Sequence, residues 1–198
     1  WSGATYPNVI GEITGKTNPD EIYIVSAHLD DMPSGATAPG ADDNGSGSTA
    51  ALIAADIFSQ YEWDCTIRFG LWTGEEQGLN GSDAYAQRAH NQGENIAGVL
   101  NLDMIAYDSD TDPILDLHAR TAIPGSIVIA NTFVDVVDAY QLDLQPDVLI
   151  DHWLGNYSDN KSFWDEGYSA ILAIEDDDDF TPYYHTINDE ISTLNIEY

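Results

Sequence analysis

The sequence has very few basic residues and a single cysteine. Only 5 of its 198 residues are Lys or Arg, against 35 Asp and Glu, so the formal net charge is −30. Nucleic acids and anionic membranes are bound by clustered cations, and we therefore expect neither as a partner. Cys65 stands alone, which excludes an intrachain disulfide and a zinc site built on paired cysteines. No apolar run reaches about 18 residues, the length that predicts a membrane-spanning helix.

The high charge does not indicate disorder, because 43% of the residues are hydrophobic. A chain of this length is typical of one domain, and we expect residues 1–198 to form a single catalytic domain. An acidic surface suits salty or extracellular surroundings, and Trp1 would follow a signal peptide that has been removed. We therefore expect a secreted protein, and we expect it to be a monomer.

Short apolar segments alternate with amphipathic segments along the chain. The predicted strands are 8–14, 21–27, 65–73, 96–104, 114–118 and 169–174, and the predicted helices are 46–61, 82–91, 127–140 and 158–166. Pro124 and Gly125 mark the start of the third helix, and Ser158 or Asp159 is the expected cap of the fourth. This alternation predicts a single-domain α/β fold, in which helices flank both faces of a mixed, mostly parallel central sheet.

Histidines and carboxylates follow the predicted strands. In open α/β sheets the ligand crevice lies beyond the carboxyl ends of the strands. The residues that the pattern delivers to this edge are His28 and Asp30 after the second strand, Glu75 and Glu76 after the third, Asp103 after the fourth, and Glu175 and then His185 after the last. A glycine-rich loop, residues 39–47, brings Asp42 and Asp43 to the start of the first helix.

This set of residue types matches a divalent metal bound without thiolates. Two zinc ions that share one carboxylate need about five protein ligands. His28, Asp43, Glu76, Asp103 and His185 supply such a set. Glu75 then remains beside a ligand as an unligated carboxylate placed to take a proton from water. Asp30, two positions after His28, can accept the imidazole N–H and set its tautomer.

Five short motifs together resemble the dinuclear zinc aminopeptidases, the group of secreted leucyl aminopeptidases and aminopeptidases S and Y. The matching segments are SAHLDD (26–31), APGADDNGSG (38–47), TGEEQGLNGS (73–82), NLDM (101–104) and YYHT (183–186). Each motif alone carries little weight in so acidic a chain, but all five occur in the family's order. The resemblance spans roughly residues 21 to 189.

The resemblance implies a role for each ligand. His28 and Asp103 would bind one zinc ion, and Glu76 and His185 the other. Asp43, rather than Asp42, would bridge the two ions, because the family's bridging carboxylate directly precedes the residue that leads into the glycine-serine-glycine turn. Glu75 would act as general base and then as general acid, and the peptide bond between Asp43 and Asn44 would be cis.

Tyrosines and aromatic residues near the late loops are candidates for substrate contacts. The resemblance implies that the Tyr184 hydroxyl stabilises the oxyanion, with Tyr157 as a second candidate. An apolar first residue of the substrate is expected to enter a pocket with aromatic walls. The candidate wall residues are Trp153, Tyr157, Phe163, Phe180 and Tyr183.

The scarcity of Lys and Arg bears on which end of a peptide is recognised. A free C-terminus calls for a cation, and the five basic residues cannot easily be clustered to supply one. A free N-terminus calls for carboxylates, which are abundant. Peptides with a free N-terminus are therefore the expected substrates. The alternatives are a zinc carboxypeptidase or amidohydrolase of the same fold, a glutaminyl-cyclase-like enzyme, and a binding module without activity.

The remaining histidines and the acidic run 175–179 have simpler interpretations. We interpret His90 as solvated and His118 as structural, whereas His152 could reach the pocket from its loop. The acidic run could bind Ca²⁺, which takes about six to eight oxygen ligands, although a solvated loop is the favoured interpretation.

Two features depart from the resemblance. Residues 158–160 read Ser-Asp-Asn, where relatives commonly have Ser-Asp-His. Relatives also carry helices before the first strand and after the last ligand, so the chain is expected to be a compact member of the group or trimmed at both ends.

Overall fold

The computed structural model describes residues 6–32 and 39–195, and it confirms the predicted α/β fold. The first residue of the APGADDNGSG motif, Ala38, lies outside the described residues. The strands are β1 (Val9–Ile13), β2 (Asn18–His28), β3 (Cys65–Trp72), β4 (Asn95–Leu102), β5 (Ile114–Ala119), β6 (Gln145–Ile150) and β7 (Ala170–Glu175). The α-helices are α1 (Gly45–Phe58), α2 (Asn80–Gln92), α3 (Pro124–Tyr140) and α4 (Asn160–Asp165).

The strands of the described region form one mixed sheet in the order β1-β3-β2-β4-β7-β5-β6. The four strands β3, β2, β4 and β7 are neighbours and run parallel. At the two sides, β1 is antiparallel to β3, and β5 is antiparallel to β7. The carboxyl ends of the four central strands therefore meet at one edge of the sheet, which is where the candidate ligands follow in the sequence.

Strand β6 was not predicted, and its proline explains why. Pro146 cannot donate a hydrogen bond to a neighbouring strand, so its presence argues against a central strand. In the structure β6 pairs with β5 alone and forms the outer edge of the sheet. An edge strand tolerates a residue without a backbone N–H, because one side of the strand has no neighbour to receive a hydrogen bond.

The predicted helices are all present, with small shifts at their ends. Helix α3 begins at Pro124, where a missing backbone N–H costs nothing, and its 17 residues make it the longest described helix. No described helix combines the length and the apolar character needed to cross a membrane. The expected side-chain cap of α4 is wrong: Asp159 holds the cap position, but neither its side chain nor that of Ser158 caps the helix. Ser158 instead donates to Asp103.

Separate cores lie on the two faces of the sheet. On one face, Ile22, Ile24 and Val99 pack against α2 and α4 through Tyr85 and Phe163. On the other face, α1 and α3 cover Leu100, Leu102 and their neighbours. Side chains alternate along β4, so this strand contributes to both cores. Helices pack on both faces of the sheet and fix the position of its carboxyl edge.

A substitution at Phe163 tests how much the packing of the first core contributes to stability. The Phe163 side chain is fully buried and its ring lies 5.8 Å from that of Trp72 and 6.1 Å from that of Tyr85. Phe163→Ala should lower the free energy of unfolding by about 3–5 kcal/mol, because it removes buried area and leaves a cavity. Urea denaturation measures this change. Tyr140→Ala, at a side chain that is 75% exposed, is the control and should shift stability by less than about 0.5 kcal/mol; equal effects of the two substitutions would contradict the packing described.

Candidate metal centre

Five of the predicted site residues converge at the carboxyl edge of the sheet. His28 ends β2, Asp103 directly follows β4, and Glu76 lies in the turn after β3. Asp43 precedes α1, and His185 lies in the loop that follows β7. Their donor atoms form two groups, His28 with Asp43 and Asp103, and Asp43 with Glu76 and His185. Within each group the donor atoms lie within 4.8 Å of one another.

Asp43 belongs to both groups because its two oxygens face different histidines. Its Oδ1 lies 3.2 Å from His28 Nε2, and its Oδ2 lies 3.2 Å from His185 Nε2. Each histidine has a second carboxylate nearby, since His28 Nε2 is 3.1 Å from Asp103 Oδ1 and His185 Nε2 is 2.9 Å from Glu76 Oε2. One carboxylate thus links two donor groups, as in a pair of metal ions that share a ligand.

The loop that carries Asp43 is hydrogen-bonded to the end of β4 through Asn44. The peptide bond between Asp43 and Asn44 is cis, as the resemblance implies. The Asn44 side chain donates to the Leu102 carbonyl at 2.9 Å and accepts from the Gly47 N–H at 2.9 Å. A Cβ on Gly47 would lie 2.4 Å from Asn44 Oδ1 and 2.5 Å from Leu102 O, so only glycine fits there.

Asp189 holds the same loop from the opposite end of the chain, and sequence reasoning missed it. Its carboxylate accepts the backbone N–H groups of Asp42 at 2.9 Å and Asp43 at 3.0 Å. Only 3% of the side chain is exposed. Its one sequence signal is its position shortly after His185, inside the span of the resemblance.

Asp30 supports the site through both its backbone and its side chain. The His28 Nδ1 atom lies 2.9 Å from the Asp30 backbone carbonyl, so the expected bond to the imidazole is made by the main chain. The Asp30 carboxylate instead accepts the N–H groups of Glu75 at 3.1 Å and Glu76 at 3.3 Å. This residue therefore fixes the orientation of His28 and the turn that carries the two glutamates.

A buried chain of hydrogen bonds orients Asp103. Ser158 donates to Asp103 Oδ2 at 2.6 Å and accepts from Asn101 Nδ2 at 2.8 Å, and Ser26 donates to Asn101 at 3.0 Å. Ser158 belongs to the Ser-Asp-Asn segment in which the sequence departs from its relatives. The serine of that segment nevertheless holds a candidate ligand.

The cluster has strongly perturbed proton affinities. Burial, and after it the nearby Asp103, raise the pKa of Glu75 to about 9. Burial and Asp43 raise the pKa of Glu76 to about 7. Burial lowers the pKa of His28, but Asp103 and Asp43 outweigh it and the net pKa lies well above the ordinary value. The Asp43 carboxylate likewise raises the pKa of His185. The site as a whole attracts positive charge.

No Lys or Arg supplies that charge, although all five lie in the described part of the chain. Lys16 pairs with Glu62 and Lys161 with Asp165. Arg68 pairs with Glu12 and Glu94, Arg88 lies over Tyr85, and Arg120 lies over Trp164. Glu76 Oε1 is buried and makes no hydrogen bond to any described residue. Nitrogen and oxygen donors around an uncompensated negative charge fit borderline divalent cations such as zinc.

A small cleft opens beside the donor atoms. Glu75 and Tyr184 line it, and Tyr157 and Phe180 contribute two of its walls, as their sequence positions suggested. The other walls are apolar residues that sequence reasoning missed: Met104, Leu154, Leu172 and Ile174. The alternation along β7 could have identified Leu172 and Ile174. They are two positions apart, so they lie on the same face of the strand close to the sheet edge. The Tyr184 ring stacks on His185 with centroids 3.6 Å apart.

Three expected wall residues lie elsewhere. Tyr183 packs edge-on against Tyr107 and does not line the cleft. Phe163 is buried in the core against Trp72. Trp153 is 58% exposed and touches Tyr157 from outside the cleft lining. Aromatic residues near a site in sequence serve packing as readily as binding, and only their orientation separates the two roles.

The remaining polar candidates have structural surroundings. His90 is largely exposed, as expected. Glu175 is buried beside Asp42 and accepts the Thr181 N–H at 2.8 Å. Burial and Asp42 raise the pKa of Glu175 to about 11, so it is protonated at neutral pH and is unsuited to binding calcium. Asp179 instead lies with Asp108 and Asp110, and a calcium ion at the acidic loop stays a prediction.

Asp189→Asn tests whether the ligand loop depends on this buried carboxylate. The amide keeps the size of the side chain but replaces one acceptor oxygen with an N–H donor, which faces a backbone N–H. The free energy of unfolding should fall by about 1–3 kcal/mol, and zinc affinity should fall by about 10–100-fold, as for other supports of metal ligands. Denaturation and competition with a zinc chelator measure the two effects. Glu190→Gln, at the exposed neighbour, should change neither, and zinc affinity that survives Asp189→Asn would contradict the proposed support.

Comparisons with known proteins find similarity to zinc metalloproteases and aminopeptidases. A probable zinc metalloprotease of Pyricularia oryzae is 31% identical over an alignment 221 residues long, gaps included, which covers 91% of this chain and 42% of that protein. Aminopeptidase Y of Saccharomyces cerevisiae is 31% identical over 137 residues, which cover 69% of this chain and 25% of that protein. The structure of the Legionella pneumophila LapA aminopeptidase aligns with a TM-score of 0.83 at 27% identity, over 99% of this chain and 52% of that one. The chain thus spans about half the length of these relatives, or less.

The sequence model of one peptidase family covers nearly all of the chain. Peptidase family M28 matches residues 8–197, a span that contains every candidate ligand and Glu75. The chain therefore belongs to peptidase family M28.

Proposed function

We propose that this chain is the catalytic domain of an aminopeptidase that removes the first residue of a peptide with the help of two zinc ions and Glu75. The observation that carries the proposal is the position of Asp43, whose two oxygens each lie 3.2 Å from a different histidine. The named activities of aminopeptidase Y and LapA support the same reaction.

The donor groups indicate which residues hold each ion. His28 and Asp103 would bind one zinc, Glu76 and His185 the other, and Asp43 both. When bound, zinc polarises a carbonyl group and lowers the pKa of water toward about 7. The hydrogen bonds from Asp30, Ser158 and Asp189 would keep the ligands in place before any ion binds, which reduces the cost of ordering them on binding.

Glu75 is the proton carrier in this proposal. It lines the cleft next to Glu76, and its backbone is held by the Asp30 carboxylate. Its carboxylate accepts a proton from the attacking water and then delivers that proton to the nitrogen of the leaving amine. Burial favours the protonated form of Glu75, whereas two bound cations nearby would favour the ionised form, which is the form that accepts a proton.

Tyr184 would stabilise the charge that develops on the substrate carbonyl oxygen. Burial, and then the nearby Asp43, raise the pKa of its hydroxyl, which therefore keeps its proton and can donate. Tyr157 lines the same cleft and is the second candidate for this role.

The cleft favours an apolar first residue with a free amino group. Leu154, Leu172, Ile174 and Phe180 offer an apolar wall beside the carboxylates. The carboxylates can receive a substrate ammonium group, whereas no lining residue is a Lys or Arg that could receive a substrate carboxylate. This composition favours an aminopeptidase over a carboxypeptidase. A secreted, monomeric state remains a prediction from composition and resemblance.

Glu75→Gln tests the proton carrier. The amide cannot accept a proton, so kcat should fall by about 10²–10⁴-fold, the usual contribution of a general base. Steady-state assays with leucine p-nitroanilide measure turnover, and elemental analysis should still find two zinc ions per chain. Glu62→Gln, on the exposed surface, is the matched control and should retain full turnover. A Glu75→Gln protein that is as active as the parent would remove Glu75 from the mechanism.

A blocked substrate tests the direction of recognition. In N-acetyl-leucine p-nitroanilide, an uncharged acetylated amide replaces the free ammonium group of the substrate. We expect its kcat/KM to be lower by at least about 10²-fold, because a site built around a polar group rejects the analogue that lacks it. Equal cleavage of the two substrates would indicate an amidohydrolase instead of an aminopeptidase.

A further inference from the structure

His118 is a buried histidine that the proposed mechanism does not use. It lies near the end of β5 and its side chain is fully buried. Neither ring nitrogen makes a hydrogen bond to a described residue. An imidazole without partners is an expensive way to fill a core position, since an unsatisfied buried donor or acceptor costs about 1–3 kcal/mol. A phenylalanine or leucine would fill the same space without that cost.

The side chain of His118 packs against the short turn that borders the cleft. This turn is the 3₁₀ helix Trp153–Asn156. A Cβ on Gly155 would lie 3.1 Å from His118 Cβ and 3.1 Å from the Trp164 ring, so the backbone of the turn rests directly on these two side chains. Just before the turn, the His152 ring stacks on that of His118, with centroids 5.3 Å apart and planes at 27°.

The turn and the neighbouring strand both contribute walls to the cleft. Leu154 lies within the turn and Tyr157 follows it directly, and both line the cleft. On β7, Leu172 pairs across from His118 and lines the cleft as well. His118 therefore contacts the turn and the strand that carry three wall residues, and it is not itself among the residues that line the cleft.

We propose that His118 is a positioning residue for this substrate wall: its uncharged ring supports the turn that carries Leu154 and Tyr157, and its protonation loosens that turn and weakens substrate binding. The idea rests on the proposed function, because it assigns the wall to substrate binding. It adds a residue, and a pH range, that the metal centre does not supply.

The surroundings of His118 disfavour a charge on its ring. Burial, and after it the stacked His152, lower the pKa of His118 to about 4. The elements around it carry these other charged or titratable groups: Asp116 on β5, Arg120 after β5, Asp147 on β6, Asp151 after β6, Tyr157 after the turn, Asp159 beside α4, Lys161 and Asp165 on α4, Glu175 on β7 and Asp177 after β7. His152 itself has Asp177 as its nearest acid, with Nε2 and Oδ2 3.9 Å apart.

The sign of the effect follows from the lowered pKa. A buried histidine with a lowered pKa contributes its full stabilisation of the closed wall at pH values above 6.5, the ordinary pKa of the group. This stabilisation is lost as the pH falls from 6.5 toward 4, because an opened turn lets the ring take up a proton in water. Acid should therefore open the wall and raise KM, while kcat follows the metal centre and Glu75.

The test compares the parent protein with His118→Phe, which keeps an aromatic ring but cannot be protonated. In the parent, KM for leucine p-nitroanilide should rise by about threefold or more between pH 7 and pH 5. In His118→Phe, KM should stay level over this range, while the pH dependence of kcat is shared by both proteins. His90→Phe, at an exposed histidine on α2, is the matched control and should keep the parental rise.

A second measurement avoids dependence on activity. Hydrogen exchange of amides 153–158, expressed as protection factors and measured on metal-free protein, should show protection falling by about threefold or more from pH 7 to pH 5 in the parent but not in His118→Phe. His118→Leu, also uncharged, should behave like His118→Phe and serves if the latter does not fold. An identical fall in protection in the parent and in the uncharged variants would overturn the inference. A protein without peptidase activity would contradict the proposed function and leave the exchange result to decide this one.

Discussion

The structure is built around buried negative charge that no Lys or Arg compensates. Donor atoms of Asp43 lie within 4.8 Å of those of Asp103 in one group and of Glu76 in the other, and each group contains one histidine. Carboxylates in a low-dielectric site repel one another strongly unless cations or protons intervene. Burial first, and after it the neighbouring Asp103 and Asp43, raise the pKa values of Glu75 and Glu76. Two divalent cations would relieve the repulsion, so metal binding is the constraint to which the rest of the site is adapted.

Holding such charges together requires a rigid frame, and the protein supplies it with backbone hydrogen bonds. The Asp189 carboxylate holds the N–H groups of the Asp43 loop, and the Asp30 carboxylate holds those of the glutamate turn. Asn44 ties the same loop to the end of β4. These contacts place the candidate ligands at the sheet edge and leave the side-chain oxygens of Asp43 and Glu76 free to bind a cation. The acidic residues of the site thus divide into those that would bind metal and those that position others.

The strands and helices were mostly predictable because each carries a local pattern. Apolar residues on β2, β3, β4 and β7 mark strands buried on both faces, and Pro124 marks the start of α3. Strand β6 escaped prediction because Pro146 is incompatible with a central strand, and nothing local reveals that the strand lies at an edge. The side-chain cap expected for α4 also failed, because Ser158 finds a partner in Asp103, far away in the chain.

The sequence by itself determined the kinds of donor atoms, their order along the chain and their delivery to one sheet edge, because these follow from local pattern and motif. Only the tertiary structure decided that Asp43 turns one oxygen to each histidine, that Asp189 reaches across 147 positions to the ligand loop, and that the turn bearing Leu154 rests on His118. Such contacts join residues far apart in the chain. Their distances depend on how the whole sheet and its loops pack, and no local pattern contains that information.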